Sequence, residues 1–88
     1  MKIVWTPHAW EDYVHWQTAD RKILAAINDL IADIRREPFR GLGKPEPLKH
    51  ALQGFWSRRI TGEHRLVYRV TGKDTTLQVE IVQCRYHY

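Results

Sequence analysis

Residues 2–5 (KIVW) form a short, mostly apolar run that predicts a first β-strand. Thr6 and Pro7 follow it, and this pair is typical of a helix N-cap with proline at the first helical position, where its missing N–H is tolerated. Helical spacing then marks one face with Ala9, Trp10, Tyr13, Val14 and Gln17. We expect the tryptophans before residue 17 to lie in the core, because aromatic side chains at helical spacing pack more often than they bind ligands.

A second, longer helix is predicted after Asp20, whose carboxylate suits an N-cap. Its apolar stripe follows the helical period and consists of Ile23, Ile27, Leu30, Ile31 and Ile34. Arg35 and Arg36 complement the negative C-terminal end of the helix dipole, and Pro38 ends the helix. Two antiparallel helices with a tight joint therefore cover one side of a second layer, which must be a sheet.

The second half of the chain has the period and the turn residues of an antiparallel meander. Residues 39–47 contain two glycines and two prolines and are predicted to form a loop, and residues 48–52 a brief edge strand. Strands are expected over 55–60, 64–70 and 76–86. The fold class is therefore α+β, with two N-terminal antiparallel helices on one face of a small, mainly antiparallel sheet whose other face is open.

The composition is that of one folded domain spanning residues 1–88, with 43% hydrophobic and 27% charged residues. The longest apolar run, 23–27, is far too short to span a membrane, and the N-terminus lacks the pattern of a secretory signal. The single cysteine, Cys84, excludes an internal disulfide, and we expect a buried structural thiol in a cytoplasmic protein.

Positive charge is concentrated in the middle third of the chain. Residues 1–43 carry six basic and six acidic side chains, whereas residues 44–73 carry seven basic and two acidic ones, a net charge of +5. Residues 74–88 carry one basic and two acidic side chains, so the whole chain has a net charge of +4. A phosphate-binding face would need such a distribution, but an ordinary solvated surface would also produce it, and composition leaves these two interpretations even.

Several cations are predicted to lie on the open face of the sheet. Arg65 alternates with the apolar Leu66 and Tyr68, so it points away from the helices if those two are core residues. Arg58 and Arg59 are adjacent and point to opposite faces, and one of them is therefore available as well. The open face thus gains a row of positive charge that suits an anionic ligand.

Glu46 is an unusual loop carboxylate, because Pro45 and Pro47 stiffen the backbone on both sides of it. A carboxylate held on a stiff loop near arginines is a candidate general base. An ordinary ion pair with Lys44 or Lys49 is the alternative, and the residues alone favour that simpler explanation.

The chain ends in residues 84–88 (CRYHY), directly after an apolar run that predicts a strand. An ordered sheet would hold these side chains in place, whereas most chain ends fray. The His87 imidazole can transfer a proton near neutral pH, and the phenols of Tyr86 and Tyr88 can orient or stack a partner. We therefore interpret the chain end as one half of a site whose other half lies on the open face.

Metal-independent RNA cleavage by transesterification matches this set of side chains. The reaction needs a base for the ribose 2′-OH, an acid for the departing 5′-oxygen, and cations for the charge that builds on the phosphorane oxygens. These roles fall in that order to Glu46, His87 and Arg65, with Tyr88 orienting and Lys49 or Arg59 binding phosphate. Metal hydrolysis fits less well, because the five histidines are scattered, and we expect no metal and no cofactor.

Four stretches of the sequence form a recognisable series, in the order 43–49 (GKPEPLK), 54–60 (GFWSRRI), 63–68 (EHRLVY) and 84–88 (CRYHY). Together they resemble the YoeB (Txe/YoeB) family of the RelE-like superfamily of bacterial toxins. The similarity covers essentially the whole chain, including the two helices, and leaves residues 72–83 without a matching motif.

The resemblance implies a type II toxin that is a ribosome-dependent mRNA endonuclease, cuts in the A site and so inhibits translation. The family's catalytic residues match Glu46, Arg65, His87 and Tyr88, and its supporting cations match Lys49 and Arg59. Further candidate contacts to RNA are Lys44, Arg58 and Trp56. The implied partners are the 70S ribosome with mRNA in its A site and a YefM-like antitoxin whose flexible segment covers the site. Toxins of this kind also form homodimers.

Two other functions stay open. The first is a binding module that occupies the A site and blocks translation without cutting, which the basic middle third and Trp56 would serve equally well. The second is a gyrase poison on the same scaffold, like the ParE toxins. That activity needs no pair of Glu46 and His87, so the presence of both residues argues against it.

Overall fold

The computed structural model describes residues 1–87, and Tyr88 lies outside the described residues. The helices are α1 (Pro7–Ala19) and α2 (Arg21–Arg36), and the strands are β1 (Lys2–Trp5), β2 (Glu46–Pro47), β3 (Trp56–Arg59), β4 (Arg65–Thr71) and β5 (Gln78–Gln83). The strands form one sheet in the order β1-β5-β4-β3-β2, in which β1 runs parallel to β5 and the other neighbours are antiparallel. The predicted α+β class is confirmed. No helix within residues 1–87 is both long and apolar enough to cross a membrane.

Both helices begin where the sequence predicts. The Thr6 hydroxyl accepts a hydrogen bond from the Ala9 amide at 3.2 Å. The Asp20 carboxylate accepts hydrogen bonds from the Lys22 and Ile23 amides at 2.9 and 3.2 Å. These contacts satisfy amides that have no partner within the first turn of a helix, and they fix the short joint between α1 and α2.

The prediction that Trp10 lies in the core is wrong, because α1 buries a different face. Its buried residues are Ala9, Asp12 and Trp16. Trp10 and Val14 are instead 49% and 44% exposed. The Asp12 carboxylate is therefore buried while the Trp10 indole is exposed. Asp12 is buried because it accepts a hydrogen bond from the Cys84 amide.

Two predicted strand boundaries are corrected. Residues 48–52 do not form the edge strand; that strand is β2, and a 3₁₀ helix follows it at His50–Leu52. The backbone of His50 is left-handed, with φ of 56°, which is incompatible with a strand. The last strand, β5, is shorter than the predicted 76–86, because a 3₁₀ turn at Asp74–Thr76 precedes it and the chain end turns away after it.

The core lies between the two helices and the sheet. Its buried apolar side chains are Ala9, Trp16, Ile27, Leu30, Ile34, Leu66, Tyr68, Val79, Ile81 and Cys84. Burial, together with the nearby Asp12 carboxylate, raises the pKa of the Cys84 thiol to about 12. The thiol is therefore protonated at neutral pH, and the prediction that Cys84 is buried is confirmed.

Arg58 lies in the core, so the expectation that it binds phosphate is wrong. Its side chain is 0% exposed. A guanidinium has five N–H donors, and all five of them have acceptors here. The acceptors are the Tyr68 hydroxyl, the Asp33 carboxylate and the backbone carbonyls of Glu37, Arg40 and Leu42. Arg58 thereby fastens the end of α2 and the loop after it to β3.

The two ionisable partners of Arg58 keep the protonation states that it needs. The pKa of Asp33 is lowered, first by the hydrogen bond from the Leu42 amide and then by the Arg58 guanidinium. Burial raises the pKa of Tyr68. A carboxylate and a neutral phenol therefore face the guanidinium at neutral pH, which is the arrangement in which a buried cation is stable.

Candidate active site

The register of the sheet places the candidate base and two cations on one face. Glu46 lies opposite Ser57 across β2 and β3, and Arg59 lies opposite Arg65 across β3 and β4. Residues directly opposite one another share a face, and residues two apart on a strand share it too. Leu66, which follows Arg65, is buried against the helices. Glu46, Arg59 and Arg65 therefore lie on the face opposite the helices, which we call the open face.

Glu46 is held by backbone contacts on both sides. The Arg59 amide donates to the Gly43 carbonyl at 2.7 Å, and the Leu48 amide donates to the Phe55 carbonyl at 2.9 Å. Gly43 has φ of 77°, and a Cβ atom there would lie 2.9 Å from the Arg59 carbonyl oxygen, so this close approach requires glycine. Glu46 itself is exposed. Glu46 is therefore an exposed residue on a backbone that β3 fixes.

Arg65 is 8% exposed and lies beside the turn between β3 and β4. Its Nη1 donates to the carbonyls of Thr61, Gly62 and His64 at 2.7, 3.3 and 3.0 Å. Within residues 1–87, the hydrogen bonds of this guanidinium run through Nη1 alone. The turn therefore holds the guanidinium through Nη1, and this contact fixes the orientation of the whole planar group.

The chain end brings His87 to the same turn. The Arg65 amide donates to the Tyr86 carbonyl at 3.0 Å, and His87 Nε2 lies 3.2 Å from the Gly62 carbonyl oxygen. Arg65 and His87 therefore meet at one backbone oxygen, although 22 residues separate them in sequence. Strand spacing and residue rise place the Cα atoms of Glu46 and Arg65 roughly 12 Å apart, a span that two long side chains and one phosphodiester can bridge.

The remaining candidate contacts to RNA divide between the two faces. Lys44, Lys49 and Arg59 are exposed, on or beside the strands that carry Glu46. Trp56 lies opposite Tyr68 on the helix-covered face, and its ring packs on Phe39 at a centroid distance of 4.9 Å. Trp56 and Arg58 therefore lie on the other face from Glu46 and Arg65, and a contact of the half-buried Trp56 with RNA stays a prediction. Tyr88 lies outside the described residues.

Within residues 1–87, no three side chains of His, Cys, Asp or Glu come together in a group that could hold a metal ion. His8 lies 3.6 Å from Asp12, and His64 lies 3.8 Å from Glu63. Each of these is a pair, whereas a protein metal site takes three or more ligands. What the described residues do offer at the open face is a carboxylate, an imidazole and several cations.

Sequence reasoning missed the residues that hold the chain end. The Asp12 carboxylate accepts from the Cys84 amide at 3.1 Å, and Trp16 Nε1 donates to the Cys84 carbonyl at 3.0 Å. His64 Nδ1 accepts from the Tyr86 amide at 2.8 Å. Asp12 did carry a signal, because it stands three residues after Ala9 and four before Trp16 on the stripe that α1 buries. An acidic residue on a buried stripe needs a donor, and the chain end supplies it.

Comparison with known proteins assigns the chain to a family. A family model described as "YoeB-like toxin of bacterial type II toxin-antitoxin system" matches residues 5–88. This chain belongs to that family. It is 60% identical to Toxin YoeB of Escherichia coli (strain K12) and 61% identical to Toxin YoeB of Streptomyces coelicolor, in each case over 88 residues and the whole of both chains. It is a toxin of a type II toxin–antitoxin system.

Solved structures of the YoeB family share the fold. A "YoeB/ParE toxin from Agrobacterium tumefaciens" is 56% identical with a TM-score of 0.96, and the match covers all of both chains. A YoeB dimer from Staphylococcus aureus is 44% identical with a TM-score of 0.88. YoeB in the heterotetrameric YoeB–YefM complex from the same organism is 45% identical with a TM-score of 0.86. Both Staphylococcus matches cover all of this chain and 98% of the other.

Proposed function

We propose that this YoeB-family toxin is a metal-independent, ribosome-dependent endoribonuclease that cuts mRNA in the A site and so stops translation. The observation that carries the proposal is the meeting of Arg65 and His87 at the Gly62 carbonyl, on the face that also presents Glu46. A base, an acid and a cation on one face are the groups that transesterification of RNA needs. The protein would act in the cytoplasm, where translating ribosomes are found.

We assign each side chain one role in the reaction, and the role of Tyr88 rests on the sequence alone. Glu46 takes the proton of the ribose 2′-OH, which attacks the adjacent phosphorus, and His87 protonates the 5′-oxygen as it leaves. Arg65 stabilises the charge on the phosphorane oxygens, because its guanidinium is held by the turn before substrate arrives. Tyr88 orients the acid. The products are a 2′,3′-cyclic phosphate, which can open to a 3′-phosphate, and a 5′-hydroxyl.

Charge on the open face supports binding to RNA. Arg59 lies on the open face, and Lys44 and Lys49 are exposed just before and just after β2; the charges of all three suit the phosphates of mRNA and of ribosomal RNA. The same charges suit an acidic protein segment. A YefM-like antitoxin that lays such a segment over the open face would block the site, and the YoeB–YefM complex from Staphylococcus aureus supports this partner. The YoeB dimer from that organism supports a homodimer as a further assembly.

Mapping of mRNA 5′ ends on programmed ribosomes tests the proposal. We expect the protein to produce new 5′-hydroxyl ends within the A-site codon, and to leave the same RNA whole when ribosomes are absent. Stalled ribosomes on an intact message would instead support a translation blocker. Loss of DNA supercoiling by gyrase, with translation unaffected, would support a gyrase poison. Either of those results would contradict the proposed cleavage.

A further inference from the structure

Hydrogen bonds to its backbone hold the chain end in one place. They come from two side chains of α1 and from His64 and Arg65 at the start of β4. Cys84 is fixed through both its amide and its carbonyl, by Asp12 and Trp16. Tyr86 is fixed in the same way, with its amide donating to His64 Nδ1 and its carbonyl accepting from the Arg65 amide. Such contacts depend on the backbone of the chain end and not on its side chains, so they determine where His87 lies.

Tyr86 is the point at which the chain reverses. Its φ of 65° is left-handed, a conformation that residues other than glycine adopt at a cost and that persists only where the surroundings impose it. Its side chain is 53% exposed, so packing of the phenol does not impose the conformation. The left-handed conformation is imposed by the two hydrogen bonds to the amide and the carbonyl of Tyr86. These come from the adjacent residues His64 and Arg65.

His64 is built for this contact and is 7% exposed. Its ring packs edge-on against Trp16 at a centroid distance of 4.8 Å and lies 5.7 Å from the ring of Tyr86. Because Nδ1 accepts the Tyr86 amide, the proton of the neutral ring is on Nε2. The exposed Glu63 carboxylate lies 3.8 Å from Nε2 and favours that tautomer.

We propose that His64 is the positioning residue of the site: its Nδ1 lone pair holds the Tyr86 amide, keeps Tyr86 left-handed and so returns the His87 imidazole to the Gly62 carbonyl beside Arg65. His64 touches neither substrate nor the reacting atoms in this role. The inference rests on the proposed function, since it assigns His64 a part in the same cleavage reaction.

Two substitutions separate the acceptor from the ring. His64→Asn keeps an acceptor, because Asn Oδ1 stands where Nδ1 stood, and it removes the ring. His64→Phe keeps the ring against Trp16 and Tyr86 and removes the acceptor. We expect His64→Phe to lower kcat for cleavage of ribosome-bound mRNA by about tenfold or more at an unchanged KM, and His64→Asn to stay within about threefold of the wild type.

His15→Phe is the matched control. His15 also packs edge-on against Trp16, at 4.8 Å, and has no hydrogen bond to the chain end among the described residues. We expect this variant to cut like the wild type. If His64 acts by packing alone, the order of the two His64 variants reverses, with Phe active and Asn impaired. That reversal, or equal activities of the two variants, would overturn the proposal.

Nuclear magnetic resonance on the wild-type protein tests the contact without any RNA. We expect the His64 ring proton on Nε2 and slow hydrogen exchange of the Tyr86 amide, with fast exchange of that amide in His64→Phe. A His64 proton on Nδ1, or a Tyr86 amide that exchanges freely in the wild type, would overturn the proposal even if a variant failed to fold. A wild-type protein that shows the contact and cuts no mRNA would refute the proposed function and leave the positioning of the chain end established.

Discussion

If the protein cleaves mRNA as we propose, Glu46→Gln and His87→Gln each lower the rate of cleavage on programmed ribosomes by roughly 10²- to 10⁴-fold, the range that a positioned general base or acid contributes. Glutamine keeps the size and polarity of either side chain, and it takes up no proton from a ribose hydroxyl and delivers none to a departing oxygen. Glu46 and His87 are both exposed, so we expect neither change to alter the folded structure. Single-turnover cleavage assays with saturating protein measure the effect on the chemical step.

Glu11→Gln is the control for the first of these variants. Glu11 lies on α1, is exposed, and its substitution removes the same negative charge as Glu46→Gln without approaching the open face. We expect it to cut at the wild-type rate. A Glu46→Gln protein that cuts within a few-fold of Glu11→Gln would remove Glu46 from the mechanism. A His87→Gln protein that cuts within a few-fold of the wild type would likewise remove His87.

Arg58→Met lowers the free energy of unfolding by about 3–5 kcal/mol, the usual result of removing one partner of a buried ion pair. The substitution removes the buried cation that faces the Asp33 carboxylate, and it leaves three backbone carbonyls without the donors that Arg58 supplies. Unfolding in urea, followed by circular dichroism, measures the loss, and the melting temperature of a domain this small falls by roughly 15 °C or more.

Arg59→Met is the control, because Arg59 is the neighbouring residue, carries the same charge and points to the open face. Exposed substitutions of this kind change the free energy of unfolding by about 0.5 kcal/mol or less. Equal losses in the two variants would show that Arg58 does not fasten α2 to the sheet. Because the two arginines are adjacent, differences in local sequence do not explain a difference between them.

Much of the fold could be predicted from the sequence because local rules govern it. Thr6 and Asp20 cap their helices with their own side chains, and the alternation of Arg65 with Leu66 assigns faces to β4 without any knowledge of distant contacts. The identity of the buried arginine could not be predicted in this way. Alternation says that Arg58 and Arg59 point apart, but the acceptors that draw Arg58 inward lie on segments 16 to 25 residues away.

The sequence marks individual candidates for the site, but it does not show how the fold brings them together. Glu46 is marked by the prolines beside it, and His87 by its place after a strand. The route that brings His87 back to the Gly62 carbonyl depends on a left-handed Tyr86 and on His64, and neither has a local sequence signal, since tyrosine rarely adopts that conformation. Trp10 was misplaced for a related reason: the face that α1 buries is chosen by Asp12 and its contact with Cys84, 72 residues away.

A single 2′-deoxynucleotide in the message tests the central claim most directly. Once the cut in the A-site codon has been mapped, the nucleotide on the 5′ side of that linkage is replaced by its 2′-deoxy form, and ribosomes are programmed with the altered mRNA. If Glu46 activates a ribose 2′-OH and His87 protonates the leaving oxygen, cleavage at that linkage is lost while the toxin still enters the A site. Cleavage of the deoxy linkage at the rate of the unmodified message would contradict transesterification and, with it, this assignment of the open face.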